Sequence, residues 1–458
     1  MQKISDRIYS VGVNDDDKVL FEGLWPLPYG VSYNSYLVAD EKVALIDTVE
    51  GGFEEEFLDN INEAIGDRLI DYLVVNHMEP DHSSLISYMM ERYPKLSIVG
   101  NAKTVPMLKG YYNVPEDRIL VMKEGDSLSL GGATLSFHMI PMVHWPETMV
   151  TWFAEEKTVF SGDAFGTFGT VNDDIVDTGD TFDQYRDEMI RYYSNIVGKY
   201  GTQVQSVLKK ASKLEINKIC PLHGPVLTEN LGYYIGLYDT WSSYAVETEG
   251  IVIAYTSVYG NNKKAVMMLA EKLKEKGCPK VVVNDLARCD MAEAVEDAFR
   301  YGKLVLATTT YNAEIFPFMR EFINHLTERN YSNRTVAFIE NGSWAPMATR
   351  VMKGMLEKSK NINYTENTVR ILSALNDDSI QELENLANEL CQEYLAHQDS
   401  TANKNDMTAL FNIGYGLYVV TSNDGKKDNG LIVNTVTQVT NTPNRIAVTI
   451  NKENYSHH

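Results

Sequence analysis

The chain has 458 residues, 44% of them hydrophobic and 23% charged, which is too long for one core and predicts two or three domains. Its net charge of −22 and pI near 4.9 argue against binding nucleic-acid phosphates or anionic lipid, which need clustered Lys and Arg. Cys220, Cys278, Cys289 and Cys391 form no CxxC pair, the N-terminus has no signal-peptide pattern, and no run of about 18 apolar residues occurs, so a cytoplasmic protein without a membrane span is expected.

Residues 1–248 read as short β-rich runs (YNSYLVAD, KVALIDTV, YLVVNH, LSIVGN, ATLSFHMI, MVTWFAEE, TVFSGD) with helical stretches such as FEEEFLDNINEAI and SSLISYMMERY between them. This mixture predicts a layered α/β sandwich, with a long amphipathic helix from Tyr192 to Lys213 leading back to CPLHGP. From 249 the rhythm changes to IVIAYTS, helix, VVVNDL, helix, LVLATTT, helix, TVAFIEN, helix and TVRILSA, the alternation of a parallel, doubly wound sheet. That domain is expected to end near 396. Residues 397–408 read as a polar linker, and 409–458 as a few strands with turns at NDG and DNG, too little for an independent domain and read as the front part of a larger one, with a short accessory sheet docked on the main body as the alternative.

Four of the nine histidines follow apolar runs in the first domain. His77, Glu79, Asp81 and His82 stand in NHMEPDHSS, His144 ends SFHMIPMVH, Asp163 ends KTVFSGD, and His223 follows INKIC. Alternate residues leaving a strand point the same way, so His77, Glu79 and Asp81 are expected to converge, with His82 beside them. Seven candidate ligands suffice for two metal ions. Three carboxylates among them make a hard donor set suited to iron or manganese rather than hydrolytic zinc. Asp163 can bridge the two ions, with His144 and His223 completing one each. A lone His at a strand end is usually an ordinary polar loop end; seven ligand types at four strand ends are not. His138, His325, His397, His457 and His458 are expected to be structural or exposed.

In the second domain TSVYGNN places Thr256, Ser257, Tyr259, Gly260, Asn261 and Asn262 between a strand and a helix start, where hydroxyls, amides and free N–H groups can wrap a phosphate. Two further loops leave the same sheet edge, one with Thr309, Thr310, Tyr311 and Asn312, the other with Asn341, Gly342, Ser343 and Trp344. Tyr311, Asn312 and Trp344 suit a flat heterocycle.

HMEPDH, His144, SGDAFG and PLHGP, with YNSYL upstream, resemble the metallo-β-lactamase-like domain of the flavodiiron proteins, and the three later loops resemble flavodoxin. The resemblance implies a metallo-β-lactamase-like αββα sandwich, a flavodoxin-like doubly wound parallel sheet and a short β-rich C-terminal segment. It implies one iron on His77, Glu79 and His144, a second on Asp81, His82 and His223, and Asp163 between them. In some relatives the residue matching His82 is not bound. FMN would occupy the flavodoxin-like loops. Hydrolases of the superfamily usually carry His at the position of Glu79, which favours the iron branch. Many relatives have a His in the loop before YNSYL; here FEGLWPLPYG has none, and Leu24 and Trp25 are expected to fill that space. Of Tyr192 and Tyr193, the expectation assigns the catalytic hydroxyl to Tyr193. LFNIGYGLYVVTS and DNGLIVNTVTQVT resemble the opening of an NAD(P)H:flavin reductase-like split barrel, in which Asn434, Thr435 and Gln438 match flavin-contacting positions.

The function so implied is reduction of dioxygen to water, of nitric oxide to nitrous oxide, or both, at a non-haem diiron site fed with electrons by FMN. Electrons would come from a donor protein or from NAD(P)H through a reductase module, within a head-to-tail homodimer or a tetramer. The alternative is a zinc-dependent hydrolase of the metallo-β-lactamase superfamily with an accessory flavodoxin domain.

Overall fold

The computed structural model describes residues 1–171, 175–177 and 182–394, and four strands between 418 and 448. The linker at 397–408, His397, His457, His458, Asn434 and Thr435 lie outside the described residues, and the side chain of Gln438 is not described. Met1–Leu390 form one compact unit and Cys391–His458 another.

Two seven-stranded sheets build the first half of the larger unit. One runs Gln2–Lys3, Ile8–Ser10, Tyr36–Ala39, Val43–Ile46, Tyr72–Val74, Ser97–Asn101 and Ile119–Met122, antiparallel at its start and parallel from Val43–Ile46 onward. The other runs Ser127–Ser129, Thr134–Met139, Met149–Phe153, Thr158–Phe160, Lys218–Cys220, Val226–Leu227 and Val176–Asp177. Alternation along each strand decides the layers. Ile8, Tyr36, Val38, Ile46 and Val74 meet Leu135, Phe137, Met149, Phe160 and Val226 between the sheets. Leu37, Leu45, Leu73 and Ile98 point the other way, onto Phe57, Ile61, Ile86 and Met89 of the outer helices Glu54–Ile65 and Ile86–Arg92. The expected αββα sandwich is observed.

The predicted helix over 192–213 is broken. Helix Phe182–Tyr192 passes through a π turn, Tyr193–Val197, and a 3-10 turn, Gly198–Tyr200, before helix Gly201–Ala211. A Cβ on Gly201 would lie 2.4 Å from the Ser242 carbonyl oxygen, so the chain turns where helix Leu231–Ser242 comes closest.

The second half is a parallel sheet in the order Val281–Asp285, Thr248–Tyr255, Tyr301–Tyr311, Arg334–Asn341 and Ile362–Tyr364, with Val369–Ile371 also beside Arg334–Asn341. Strand order reverses between Thr248–Tyr255 and Tyr301–Tyr311, which opens a crevice at their carboxyl ends. The halves meet along a seam. Arg191 donates to the Pro26 carbonyl (2.6 Å) and pairs with Asp290, and Arg329 donates twice to the Asn195 carbonyl (3.1 and 3.0 Å). A short hairpin, Leu20–Phe21 with Trp25–Pro26, sets Trp25 against His325 (ring centroids 5.0 Å apart) and under the Arg329 guanidinium (5.1 Å).

In the smaller unit Tyr418–Asn423 pairs with Asp428–Val433 and Val436–Asn441 with Asn444–Val448. Of NDG, Asn423 ends the strand Tyr418–Asn423 and the rest lies outside the described residues, whereas DNG begins the strand Asp428–Val433 rather than making a turn.

Candidate metal centre and cofactor pocket

The loop after strand Tyr72–Val74 is fixed before it presents any ligand. Asp47 Oδ1 accepts the backbone N–H groups of Asn76 (2.8 Å) and His77 (3.2 Å), and Thr48 N–H donates to the His82 carbonyl (2.8 Å). Glu79 is extended (φ −59°, ψ 138°), and Pro80 then starts the single helical turn Pro80–Ser83. That turn breaks the alternation expected of the motif. Asp81 and His82 rotate away from His77 and Glu79 and serve a different cluster.

All seven candidate ligands come together, in two groups around one carboxylate. His77, Glu79, His144 and Asp163 form the first; Asp81, His82 and His223 form the second. Asp163 Oδ2 lies 3.2 Å from His77 Nε2 and 3.1 Å from His144 Nε2, while its Oδ1 lies 3.3 Å from His82 Nε2 and 3.9 Å from His223 Nε2. Glu79 Oε2 is 3.2 Å from His77 Nε2 and 3.0 Å from His144 Nε2; Asp81 Oδ2 is 3.4 Å from both His82 Nε2 and His223 Nε2. His82 therefore stands with the second group, its Nε2 only 3.0 Å from that of His223.

These residues fit a pair of cations. Both oxygens of Asp163 and both of Asp81 are buried without a hydrogen-bond partner, which is costly unless positive charge completes them. Two imidazoles are held with Nε2 turned inward: His77 Nδ1 is 2.9 Å from Glu147 Oε1, and His223 Nδ1 is 2.7 Å from the Ser32 carbonyl. The fields agree. Burial opposes the charge on Glu79 and Asp163, yet the imidazoles of His77 and His144 hold both carboxyls well below their ordinary range. His144, against burial, is pushed up to about 9 by Asp163 and Glu79.

Glu147 is a partner the sequence did not reveal. It is buried, takes the His77 Nδ1 contact and the Met78 N–H (2.9 Å), and its only sequence signal is a carboxylate three residues after His144.

Two expectations need correction. Tyr193 does not face the centre: it packs on Tyr238 (5.0 Å between centroids) and Trp241 (5.3 Å), because the π turn begins at this residue. Tyr192 faces it instead, its ring 5.5 Å from that of His223 and its hydroxyl buried with no hydrogen-bond partner. Burial, then the charges of Asp163, Glu79 and Asp81, push that hydroxyl well above the ordinary range, so it keeps its proton. The second correction concerns the loop before YNSYL. Leu24 is 48% exposed and Trp25 lies on the seam, while Phe21 packs on His223 (5.3 Å, edge to face) and on Phe168 (5.2 Å).

At the crevice of the parallel sheet a cavity of about 550 Å³ is lined by Ser257, Tyr259, Asn261, Asn262, Thr309, Thr310, Tyr311, Asn312, Asn341, Gly342, Ser343 and Trp344, all expected from sequence. Thr256 and Gly260 do not line it. Thr256 is buried and exchanges a 2.6 Å hydrogen bond with Thr308, and Gly260 takes a positive φ of 89° to start helix Asn261–Glu275. Ser373, Val258, Ala313, Ala345 and Met347 also line the cavity and were not anticipated; Ser373 follows the strand Val369–Ile371 at the same edge. Tyr259 (92% exposed) and Trp344 (83% exposed) stand at its rim.

The architecture is that of a metallo-β-lactamase-like sandwich carrying a flavodoxin-like domain. Residues 31–224 match the model of the ODP family β-lactamase, 252–370 a flavodoxin domain and 410–458 a flavin reductase-like domain. The chain is 30% identical to an uncharacterised protein of Methanocaldococcus jannaschii, over 79% of this chain and 90% of that one. It is also 30% identical to an anaerobic nitric oxide reductase flavorubredoxin of Escherichia coli, over 75% and 72% respectively. Among solved structures it is similar to a rubredoxin oxygen:oxidoreductase of Desulfovibrio gigas (25% identity, TM-score 0.81, 87% of this chain and 99% of that one). A variant of the flavo di-iron protein of Thermotoga maritima is similar too (26% identity, TM-score 0.77, 84% and 96%). The chain belongs to the flavodiiron family of oxidoreductases.

Proposed function

We propose that this chain reduces dioxygen to water, nitric oxide to nitrous oxide, or both, at a diiron centre on His77, Glu79, His144, Asp81, His82 and His223 with Asp163 shared. The observation that carries this reading is Asp163, whose two buried oxygens face two separate ligand groups. Glu79 adds a third carboxylate, which suits iron better than zinc. Irons held by these residues would supply redox chemistry toward the gas, and FMN held by the residues lining the 550 Å³ cavity would supply electrons. Phe21 and Tyr33 cover the His223 ring, and Tyr192 holds a proton on its hydroxyl beside the centre.

The cavity wall contains residues 257–373 alone, and all candidate metal ligands precede 224. Head-to-tail pairing of two copies, with the exposed rim of Tyr259 and Trp344 turned toward the partner's centre, would bring the two sites together. A monomeric variant that keeps iron and FMN is then expected to turn over slowly. The division into 1–248, 249–396 and 409–458, with 397–408 between, belongs to the same reading and is supported by the family matches. Electrons would arrive from a donor protein or through the reductase-like segment.

The test is anaerobic reduction of the purified protein followed by stopped-flow reoxidation with each gas, together with metal analysis. Two irons per chain, bound FMN and rapid reoxidation are expected. Zinc without flavin colour would instead identify the hydrolase.

A further inference from the structure

A cavity of about 280 Å³ opens beside the candidate metal centre, between the Leu20–Phe21/Trp25–Pro26 hairpin and the Pro80–Ser83 turn. Its polar lining is Lys18, Glu22, Tyr33, Glu50, Glu79 and Asp81. Four carboxylates thus face one ammonium. Lys18 does not offset them freely, because its Nζ is tied to Glu50 Oε2 at 2.6 Å, and the same oxygen accepts the Tyr33 hydroxyl at 3.0 Å. Glu22 makes no hydrogen bond or ion pair with any described residue, and its φ of 51° sets it at the hairpin tip over the cavity. At the inner end is Asp81, about nine-tenths buried, neither oxygen making a hydrogen bond and its Oδ2 3.4 Å from the Nε2 atoms of His82 and His223. From surface to centre the carboxylates therefore run from exposed Glu22, through half-buried Glu50, to Glu79 and Asp81.

We propose that this cavity is the loading route for the centre's divalent cations, with Glu22 and Glu50 as an outer carboxylate pair that captures Fe²⁺ and passes it to Asp81 and Glu79. A neutral gas gains nothing from such a wall, whereas a dication is concentrated by it, since a cleft of one charge sign with low-dielectric walls focuses the field. Each stage is a ligand exchange in which a metal–water bond breaks, a metal–carboxylate bond forms and the water leaves to solvent, with the ion's oxidation state unchanged. The inference rests on the diiron reading of the same site.

The experiment uses the full chain, stripped of metal by a chelator, mixed anaerobically with Fe²⁺ and assayed at intervals for unbound iron. The unsubstituted chain is expected to take up two ions. Glu22→Gln, a change at an exposed and unbonded side chain, is expected to slow uptake by about 3- to 10-fold at low salt while the final content stays at two. Glu50→Gln, which also frees the Lys18 ammonium to face the cavity, is expected to slow it at least as much. Raising the salt to about 1 M, where the Debye length falls to about 3 Å, should bring both variants close to the parent's rate. Equal rates for the parent and both variants at low salt would overturn the loading route and leave the diiron reading standing. Failure of the parent to bind two ions at any time would overturn both.

Discussion

At the scale of single residues, Glu147 shows how the candidate centre is held in shape by a group outside both clusters of candidate ligands. It fixes the His77 ring through Nδ1 and leaves Nε2 turned inward. Glu147→Gln keeps the volume and removes the charge, so we expect metal affinity to fall about 10- to 100-fold, measured by competition with a chelator. Tyr192 and Tyr193 make a sharper pair. Tyr192→Phe is expected to lower turnover by about tenfold or more with iron and FMN content unchanged, whereas Tyr193→Phe, which removes a buried hydroxyl without a hydrogen-bond partner, should leave turnover unchanged and stability equal or higher by up to about 1 kcal/mol. Comparing gas-dependent reoxidation and thermal melts of the two variants checks the assignment. The convergence of the seven candidate ligands was legible because their types and strand-end positions are rare in combination. Glu147 was not, because one carboxylate in WPET looks like any loop residue. The choice between the two tyrosines was not legible either, since it depends on where helical pitch changes, and YYSNIVGKYG carries no proline to mark the place.

Among elements, the parallel sheet was read well and the one-turn helix at Pro80 poorly. Long apolar strands alternating with helices have one economical arrangement, and its crevice follows from strand order. Alternation within HMEPDH, by contrast, holds only while the backbone stays extended, and proline at the first helical position ends it. Helix Met291–Arg300 offers a test of how that sheet is covered. Asp297 accepts a 2.8 Å hydrogen bond from Asn284, and burial raises its carboxyl from 3.8 to about 6. The folded chain keeps this proton up to about pH 6, while the unfolded chain releases it near 3.8. Stability from this group is thus present below pH 3.8 and is lost as pH rises to about 6. Asp297→Asn retains an acceptor for Asn284 without the charge. It is expected to stabilise the protein by on the order of 2–3 kcal/mol at pH 7 and by little near pH 3.5, which denaturant melts at the two pH values would show.

For the whole molecule, the seam decides whether the two α/β halves behave as one body. Glu247, nearly buried, accepts from Arg186 (2.6 Å), Arg300 (3.3 Å) and the Trp241 indole (2.7 Å), drawing together helices of both halves. Glu247→Gln leaves Arg186 without its carboxylate and weakens the charge around Arg300, which keeps Glu296 and Asp187. A loss of about 1–2 kcal/mol is expected, read as a fall in Tm for the unit formed by Met1–Leu390. No helix among the described residues is long and apolar enough to cross a membrane. The seam was invisible in sequence because its members are ordinary surface-type charges, and nothing in one half's pattern names its partner in the other.

Only three residues stand between Phe21 and Trp25, yet one ring rests on His223 and the other on His325 beneath Arg329. The hairpin is thus a mechanical tie. A shift of helix Pro317–Glu328 is transmitted through Trp25 to the imidazole that Phe21 supports. The halves must consequently change as a matched pair over evolution: a chimera that grafts a relative's flavodoxin-like domain onto this sandwich would need Trp25 retailored to its new neighbour before His223 regained its seat.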